Sequence, residues 1–318
     1  MNEPLPVAVN RPNAAHLAAA RPAGTASFRS RFRTIVDALR PKQWMKNLLV
    51  IAAPAAAGVL NEWAVVLRTF LALVALCLIA SATYVVNDLV DAVADRRHPV
   101  KRSRPIASGS LSSRAALAIA LALAVAGVSV SVALGTEFFL VVVAYLGITM
   151  GYTFWLKRVE VLDIGAVASC FVIRALAGAA AADVSISPWF LILTSSVALF
   201  VVAGKRAADR MALEQEGERR LAGNGSDYPM AYLRYVWMLS SGIAIAAYCL
   251  WAFAQPHVVH GVAWSEISIV PFGLGVLRYA LVVERAGGGQ PEEVLLHDRS
   301  LQLIALSWLA VYAIGVYL

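Results

Sequence analysis

Long apolar runs divide the chain into segments of the length that crosses a bilayer. A transmembrane helix needs ~20 predominantly apolar residues. Nine stretches of the sequence fit this template. They lie near residues 42–60, 64–86, 115–134, 137–156, 161–182, 187–204, 231–253, 264–284 and 299–317. The pattern predicts an all-α, polytopic membrane protein with about nine transmembrane helices.

The composition agrees with this prediction. A soluble chain of 318 residues would hold about two domains, but 60% of these residues are hydrophobic and only 15% are charged. The excess apolar surface must face membrane lipids. The three cysteines, Cys77, Cys170 and Cys249, fall inside apolar spans without metal-ligand spacing, which favours a packing role.

The distribution of basic residues predicts the orientation. Lys and Arg accumulate in short loops that stay in the cytoplasm. With the N-terminus inside, all but three of the 27 basic residues fall on the cytoplasmic side; the exceptions are Arg68, Arg174 and Arg278. We therefore expect a cytoplasmic N-terminus and an outer C-terminus. The same bias explains the net charge of +7. The positive charge is therefore no reason to expect nucleic acid as a partner.

The two ends of the sequence differ in character. Residues 1–37 are predicted to form a disordered cytoplasmic arm, because the first 28 are rich in Ala, Pro and Arg without periodicity. No apolar signal-peptide core is visible there, so the first span is expected to act as the targeting signal. Residues 38–318 are predicted to form one transmembrane catalytic domain.

An aspartate cluster follows the second apolar span, in the run Asn87-Asp88-x-x-Asp91-x-x-x-Asp95. At about 100° per residue, Asn87, Asp91 and Asp95 lie at about 0°, 40° and 80° around a helix, with Asp88 near 100°. Neighbouring carboxylates repel one another on a helix. Mg²⁺ binds one or two carboxylates together with substrate phosphate oxygens. The cluster predicts a catalytic Mg²⁺ site formed by Asn87, Asp91 and Asp95.

Basic residues surround this cluster, and they allow two interpretations. Arg96 and Arg97 could simply balance the charge of a solvated helix end. However, three aspartates directly after an apolar span are an unusual way to end a helix. The loop that follows is rich in turn formers and contains Lys101 and Arg104, which are candidates for binding phosphate.

Two basic residues lie within or near apolar spans. Lys46 is one turn deeper than Lys42 in the first span and is costly there unless it lines a polar cavity. Arg174 is more than three turns beyond Lys157 and is too deep for easy snorkelling. It is predicted either to form a buried ion pair, for example with an aspartate, or to bind an anionic substrate.

A second charged cluster, Lys205-Arg206-Ala-Ala-Asp209, ends the sixth span. Lys205 and Asp209 have the i, i+4 spacing of an ordinary helical salt bridge. The alternative is a second phosphate-binding cluster that faces the first.

Together these residues resemble the UbiA superfamily of intramembrane prenyltransferases. The resemblance rests on the aspartate run, on Arg104-Pro-Ile-Ala-Ser-Gly109, and on Leu156-Lys-Arg158 leading to Arg174-x-x-x-Gly178. It spans roughly residues 38–317. It implies about nine helices around a central cavity that opens to the cytoplasm and to lipid.

One departure from the family pattern affects the expected substrate. Family members typically have a second motif, Asp-x-x-x-Asp, where this chain has Lys205-Arg206-Ala-Ala-Asp209. The added cations favour 5-phosphoribosyl diphosphate as donor and polyprenyl phosphate as acceptor. With the run from Arg40 to Asn47, they resemble the actinobacterial decaprenyl-phosphate phosphoribosyltransferase branch. That branch implies a bacterial plasma-membrane glycosyltransferase for arabinogalactan precursors.

The resemblance also implies roles for individual residues. Residues expected to bind the donor or the acceptor are Lys46, Tyr84, Asp88, Lys101, Arg104, Lys157, Arg174, Lys205 and Arg206. The enzyme alternative transfers a polyprenyl chain from its diphosphate to an aromatic acceptor, and the non-enzyme alternative is a transporter. The sequence leaves open the lipid chain length, the number of magnesium ions, a homo-oligomeric state, and the roles of Asp163 and Asp209.

Overall fold

A computed structural model describes residues 28–215, 228–255, 261–286 and 297–318, and all regular structure in these ranges is helical. This confirms the all-α prediction. The α-helices are α1 (Phe28–Leu39), α2 (Ala52–Ala56), α3 (Trp63–Arg97), α4 (Ser113–Leu134), α5 (Thr136–Phe154), α6 (Leu162–Ala182), α7 (Pro188–Gln215), α8 (Met230–Phe253), α9 (Trp264–Ile267), α10 (Ile269–Ala286) and α11 (Arg299–Tyr317). Short 3-10 helices cover Pro41–Ile51, Lys101–Ser103 and Leu156–Arg158.

Eight helical stretches in the described residues are long and apolar enough to cross a membrane. They are α3 to α8, α9 with α10, and α11. The first predicted span, residues 42–60, is not one α-helix: it consists of the 3-10 helix Pro41–Ile51 followed by α2. The prediction of an α-helix there is therefore wrong, and the count of nine helices is not confirmed.

The predicted disordered arm also needs a correction. Its last part, residues 28–37, belongs to helix α1. Ala38 at the end of this helix is buried in a small core with Val85 and Ala92 of α3. Residues 1–27 of the predicted arm lie outside the described residues.

Ion pairs join the charged ends of several helices at one end of the bundle. The Arg278 guanidinium in α10 binds the Asp298 carboxylate before α11, with 2.8 Å between Nη2 and Oδ2. This hydrogen bond and the Leu301 backbone N–H hold the pKa of Asp298 below its ordinary value. Arg234 of α8 likewise pairs with Glu284 of α10 at 2.6 Å. These two ion pairs tie the charged ends of α8, α10 and α11 together.

The main core lies between α3, α5, α6 and the first 3-10 helix. Phe138 and Tyr145 of α5 are buried there against small and aliphatic side chains. Gly178 of α6 allows the 3-10 helix to pack very closely: a Cβ at this position would lie 1.8 Å from the carbonyl oxygen of Val50. This contact fixes the 3-10 helix, which carries Lys46 and Asn47, against α6.

At the opposite end of the bundle, Arg68 has a structural role. Its Nε donates to the Ala181 carbonyl at 2.6 Å, and its Nη2 donates to the Leu134 carbonyl at 3.1 Å. These carbonyls belong to the last turns of α6 and α4, where a helix has unsatisfied acceptors and a partial negative charge. Arg68 therefore stabilises two helix ends away from the aspartate cluster.

Candidate active site

The first half of the site joins Asn87, Asp91 and Lys157. Helix α3 continues through the aspartates to Arg97, so Asn87 and Asp91 are one turn apart and their side chains meet at 3.2 Å. Lys157, in the 3-10 helix between α5 and α6, donates to Asp91 Oδ1 at 2.6 Å. Both oxygens of the Asp91 carboxylate therefore have partners. The sequence prediction that Asn87 and Asp91 share a helix flank is confirmed.

The second half joins Asp88 and Asp95 through Arg104. The Nη1 atom of Arg104 lies 2.7 Å from Asp95 Oδ2 and 3.2 Å from Asp88 Oδ1. Arg40 adds a second contact to Asp88, at 2.6 Å. Both carboxylates are buried, with exposed fractions of 3% for Asp88 and 4% for Asp95. Arg104, predicted to bind phosphate, binds carboxylates in this structure.

The oxygen donors of this cluster suit magnesium when substrate supplies the remaining ligands. In the part of the chain that the structure describes, no three His, Cys, Asp or Glu side chains are grouped closely enough to hold a metal ion. Magnesium, however, is usually bound by only one or two carboxylates together with phosphate oxygens. Asp91 with its neighbour Asn87 meets that requirement, and Asp95 lies one turn further along the same helix.

Three other predicted residues have contacts of their own. Tyr84, one turn before Asp88, has its ring 5.6 Å below the guanidinium carbon of Arg40. Lys46 donates to the Gln43 side-chain oxygen at 2.5 Å within the 3-10 helix and is half-buried. Lys101 is half-buried in the loop after α3, and its backbone N–H donates to the His98 ring.

Arg174 is buried, with an exposed fraction of 3%, and it bonds to neutral groups. Its guanidinium donates to Asn47 Oδ1 at 2.7 Å, to the Tyr145 hydroxyl at 2.9 Å and to the Cys170 carbonyl at 2.5 Å. It also lies over the Tyr145 ring, 5.0 Å from the centroid. Among the described residues no carboxylate is within ion-pairing distance, so the predicted pairing with an aspartate is wrong. Within the described ranges, the charge of Arg174 is balanced by dipoles and by the faces of the Tyr145 and Phe171 rings.

The end of α7 does not supply a free cationic cluster. Lys205 and Asp209 form the i, i+4 salt bridge that the spacing allowed, at 3.2 Å. Arg206 binds Asp163 at 2.7 Å, and the Tyr228 hydroxyl donates to the same buried carboxylate at 2.6 Å. Asp163 therefore ties α7 and the segment just before α8 to the first turn of α6.

The segment from Lys157 to Asp163 connects the two charged clusters. Lys157 binds Asp91, and Asp163, six residues further along the chain, binds Arg206. The alternative prediction that Lys205 and Arg206 bind phosphate opposite the first cluster stays a prediction.

Sequence reasoning missed several residues of the site: Arg40, Asn47, Tyr145 and Tyr228. One of them had a usable signal, because Asn47 is a polar amide within an apolar run, where an unpaired amide is costly. The tyrosines had none, since tyrosine is common in membrane helices and at their interfaces.

Comparison with known proteins confirms the resemblance. The family model described as the UbiA prenyltransferase family matches residues 48–297. A protein of Mycobacterium tuberculosis named decaprenyl-phosphate phosphoribosyltransferase is 41% identical over 286 residues, which cover 89% of this chain and 94% of the relative. A protein of the same name from Corynebacterium glutamicum is 39% identical over 290 residues, covering 89% and 87%.

Solved structures show the same fold. A UbiA homolog from Archaeoglobus fulgidus, bound to DMAPP and Mg²⁺, superposes with a TM-score of 0.67 over 89% of this chain and 99% of that chain. The two sequences are only 17% identical, so this likeness concerns the fold. With eight helices that can span a membrane, a matching family model and curated relatives over most of its length, the chain is a multi-pass membrane protein and belongs to the UbiA prenyltransferase family.

Proposed function

We propose that this protein transfers 5-phosphoribose from 5-phosphoribosyl 1-diphosphate to decaprenyl phosphate or another polyprenyl phosphate. A phosphate oxygen of the lipid forms a bond to C1 of the ribose. The bond from C1 to the diphosphate breaks, and diphosphate leaves with the bonding electrons. Attack from the face opposite the diphosphate gives inversion at C1. The lipid phosphate is already anionic, so the reaction needs no strong general base.

The observation that carries this proposal is the number of cations around the aspartates. Arg40, Arg104 and Lys157 contact the cluster directly, and Lys101 follows Asp95 by six residues. A prenyl diphosphate with a neutral acceptor brings one diphosphate to the site. A phosphoribosyl donor with a lipid phosphate brings a diphosphate and two further phosphates, one on the ribose and one on the lipid, which the basic residues would stabilise. The names of the relatives from Mycobacterium tuberculosis and Corynebacterium glutamicum support the same reaction.

Magnesium is the cofactor we propose, held by Asn87, Asp91 and Asp95. When bound, it would neutralise negative charge on the departing diphosphate. The protein's own groups would orient the substrates: Lys46, Lys101, Arg104 and Lys157 bind donor anions, and Tyr84 and Asp88 line the donor site. Arg174 is assigned to the remaining phosphates. Lys205 and Arg206 would join it only by exchanging their present partners, Asp209 and Asp163, for phosphate.

The buried position of Arg174 suits this assignment. A cation bonded only to neutral groups keeps attraction for an incoming anion, whereas an arginine already paired with a carboxylate has lost much of it. Asn47 and Tyr145 hold the guanidinium in place, so little side-chain entropy is lost when an anion binds.

We further propose that the protein lies in a bacterial plasma membrane with its N-terminus and active site in the cytoplasm. The clustering of basic helix ends and loops on one side supports this orientation. The product would serve as a precursor for cell-wall arabinogalactan.

A direct comparison of substrate pairs tests the proposal. Purified protein receives either 5-phosphoribosyl diphosphate with polyprenyl phosphate, or a polyprenyl diphosphate with hydroxybenzoate, in the presence of Mg²⁺. We expect a phosphoribosyl lipid of inverted anomeric configuration from the first pair and no product from the second. Prenylated hydroxybenzoate as the main product would overturn the proposal.

A further inference from the structure

Each carboxylate of the aspartate cluster already has a cationic partner from the protein. Lys157 binds Asp91, Arg104 bridges Asp88 and Asp95, and Arg40 binds Asp88 as well. Three carboxylates and three cations give this cluster a formal net charge of zero. The carboxylates proposed as metal ligands, Asp91 and Asp95, are therefore already paired with the protein's own basic side chains.

We propose that Lys157 makes divalent-metal binding conditional on the donor diphosphate, so that metal and diphosphate bind as a unit. The proposal rests on the proposed function, because it assigns the metal and the diphosphate to this cluster. Lys157 is a positioning residue here. Its ammonium group stays paired with the Asp91 carboxylate until a phosphate group binds the ammonium instead.

A metal ion arriving alone would meet an unfavourable exchange. To reach Asp91 it must displace Lys157, whose exposed fraction is only 8%. The displaced ammonium would then remain largely buried without its counter-ion, and an uncompensated buried charge is strongly destabilising. The protein cation and the metal ion therefore compete for the same carboxylate.

A diphosphate removes this conflict. Its oxygens can accept from the ammonium of Lys157 at the same time as the metal ion takes the Asp91 carboxylate. Every charge then has a partner of opposite sign, and none is left buried alone. A lysine suits such an exchange, because it binds as a point charge through one flexible ammonium group rather than through a rigid fork.

Lys157 is the most informative residue to substitute, because the structure shows one ion pair for it in the described part of the chain. Among the described residues its ammonium binds Asp91 alone, whereas Arg104 is shared by two carboxylates and Arg40 also lies over the Tyr84 ring. Removing Lys157 therefore leaves Asp91 without its cationic partner and keeps the other three ion pairs of the cluster intact.

The test measures metal binding without turnover. Mn²⁺, which electron paramagnetic resonance detects, replaces Mg²⁺, and inorganic diphosphate serves as the second ligand. A metal buffer keeps free Mn²⁺ equal in both arms, since diphosphate itself chelates the ion. In the wild-type protein we expect diphosphate to raise Mn²⁺ affinity roughly 5–150-fold, the usual range for coupled sites. Linkage requires Mn²⁺ to raise diphosphate affinity by the same factor.

The variants separate this mechanism from a purely structural salt bridge. Lys157→Gln should bind Mn²⁺ alone more tightly than wild type and lose most of the coupling. Arg234→Gln, which removes a cation paired with Glu284 outside the site, should match wild type. Equal Mn²⁺ affinity with and without diphosphate in the wild type would overturn the inference even if Lys157→Gln failed to fold. So would a folded Lys157→Gln protein whose affinity for Mn²⁺ alone is unchanged.

A measurement of phosphoribosyl transfer separates a failure of this inference from a failure of the proposed function. Phosphoribosyl transfer without metal–diphosphate coupling would refute this inference and leave the proposed function standing. Coupling in a protein that transfers no phosphoribose would refute the proposed function and leave the inference standing.

Discussion

Phosphoribosyl transfer is expected to fall by about 10²–10³-fold in the Asp91→Asn variant, the range for losing one electrostatic contact to the transition state. The Asp91 carboxylate contacts both Asn87 and Lys157, and 19% of its side chain is exposed. An amide in its place is a poorer magnesium ligand. The measurement is kcat with 5-phosphoribosyl diphosphate and polyprenyl phosphate in detergent.

Two further variants show whether this loss concerns chemistry or folding. Asp91→Asn leaves Lys157 without a counter-charge, which destabilises the fold by itself. The double variant Asp91→Asn with Lys157→Gln removes both charges, so its thermal stability should approach that of wild type while transfer stays lost. Asp37→Asn, on an exposed position of α1, is the control and should keep wild-type activity. A folded Asp91→Asn protein with near-normal turnover would refute the assignment of Asp91.

The Gly178→Ala variant is expected to lose about 3 kcal/mol or more of stability, at the upper end of overpacking effects. The new Cβ would lie 1.8 Å from the Val50 carbonyl oxygen, and no side-chain rotation can move a backbone atom. The 3-10 helix must therefore separate from α6. Asn47 would move away from Arg174, so we expect activity to fall together with the temperature of thermal unfolding in detergent.

Gly147 provides the matched control. It lies inside α5, and a Cβ there meets no atom within 4 Å. Alanine is the better helix former, so Gly147→Ala should leave stability unchanged or slightly raised. If Gly178→Ala unfolded at the same temperature as Gly147→Ala, the close packing of the 3-10 helix on α6 would be wrong.

Local patterns predicted much of the fold and part of the site. Apolar runs located the spanning helices, and the rotation of 100° per residue placed Asn87 beside Asp91. The i, i+4 pair Lys205–Asp209 was also readable from spacing. These features depend on residues within one or two turns of each other, which a periodic pattern records directly.

The pairing of charges could not be predicted in this way. Arg40 is 48 residues from Asp88, and Lys157 is 66 residues from Asp91. Such contacts depend on how whole helices pack, and several basic residues near the cluster were equally good candidates. The partners of Arg174 could not be predicted for the same reason, since an aspartate and a neutral amide both satisfy a buried guanidinium.

The 3-10 helix was missed because hydropathy records length and apolarity rather than the kind of helix. Pro41 correctly indicated a helix start, but Arg40 before it takes a left-handed conformation, with φ of 54°. Runs of 3-10 helix longer than three or four residues are uncommon, so tertiary contacts must stabilise this one. The contact between Gly178 and Val50 is one such interaction, and these two residues are 128 positions apart in the chain.

The most direct test of the proposed reaction traces an isotopic label in the ribose from the donor to the lipid. Purified protein in Mg²⁺ receives 5-phosphoribosyl diphosphate that carries ¹⁴C in the ribose and ³²P in the diphosphate, together with unlabelled decaprenyl phosphate. We predict that ¹⁴C enters the lipid phase while ³²P remains in water as diphosphate, in equal molar amounts. If ¹⁴C stayed in the water phase with folded protein present, the donor assignment would be wrong.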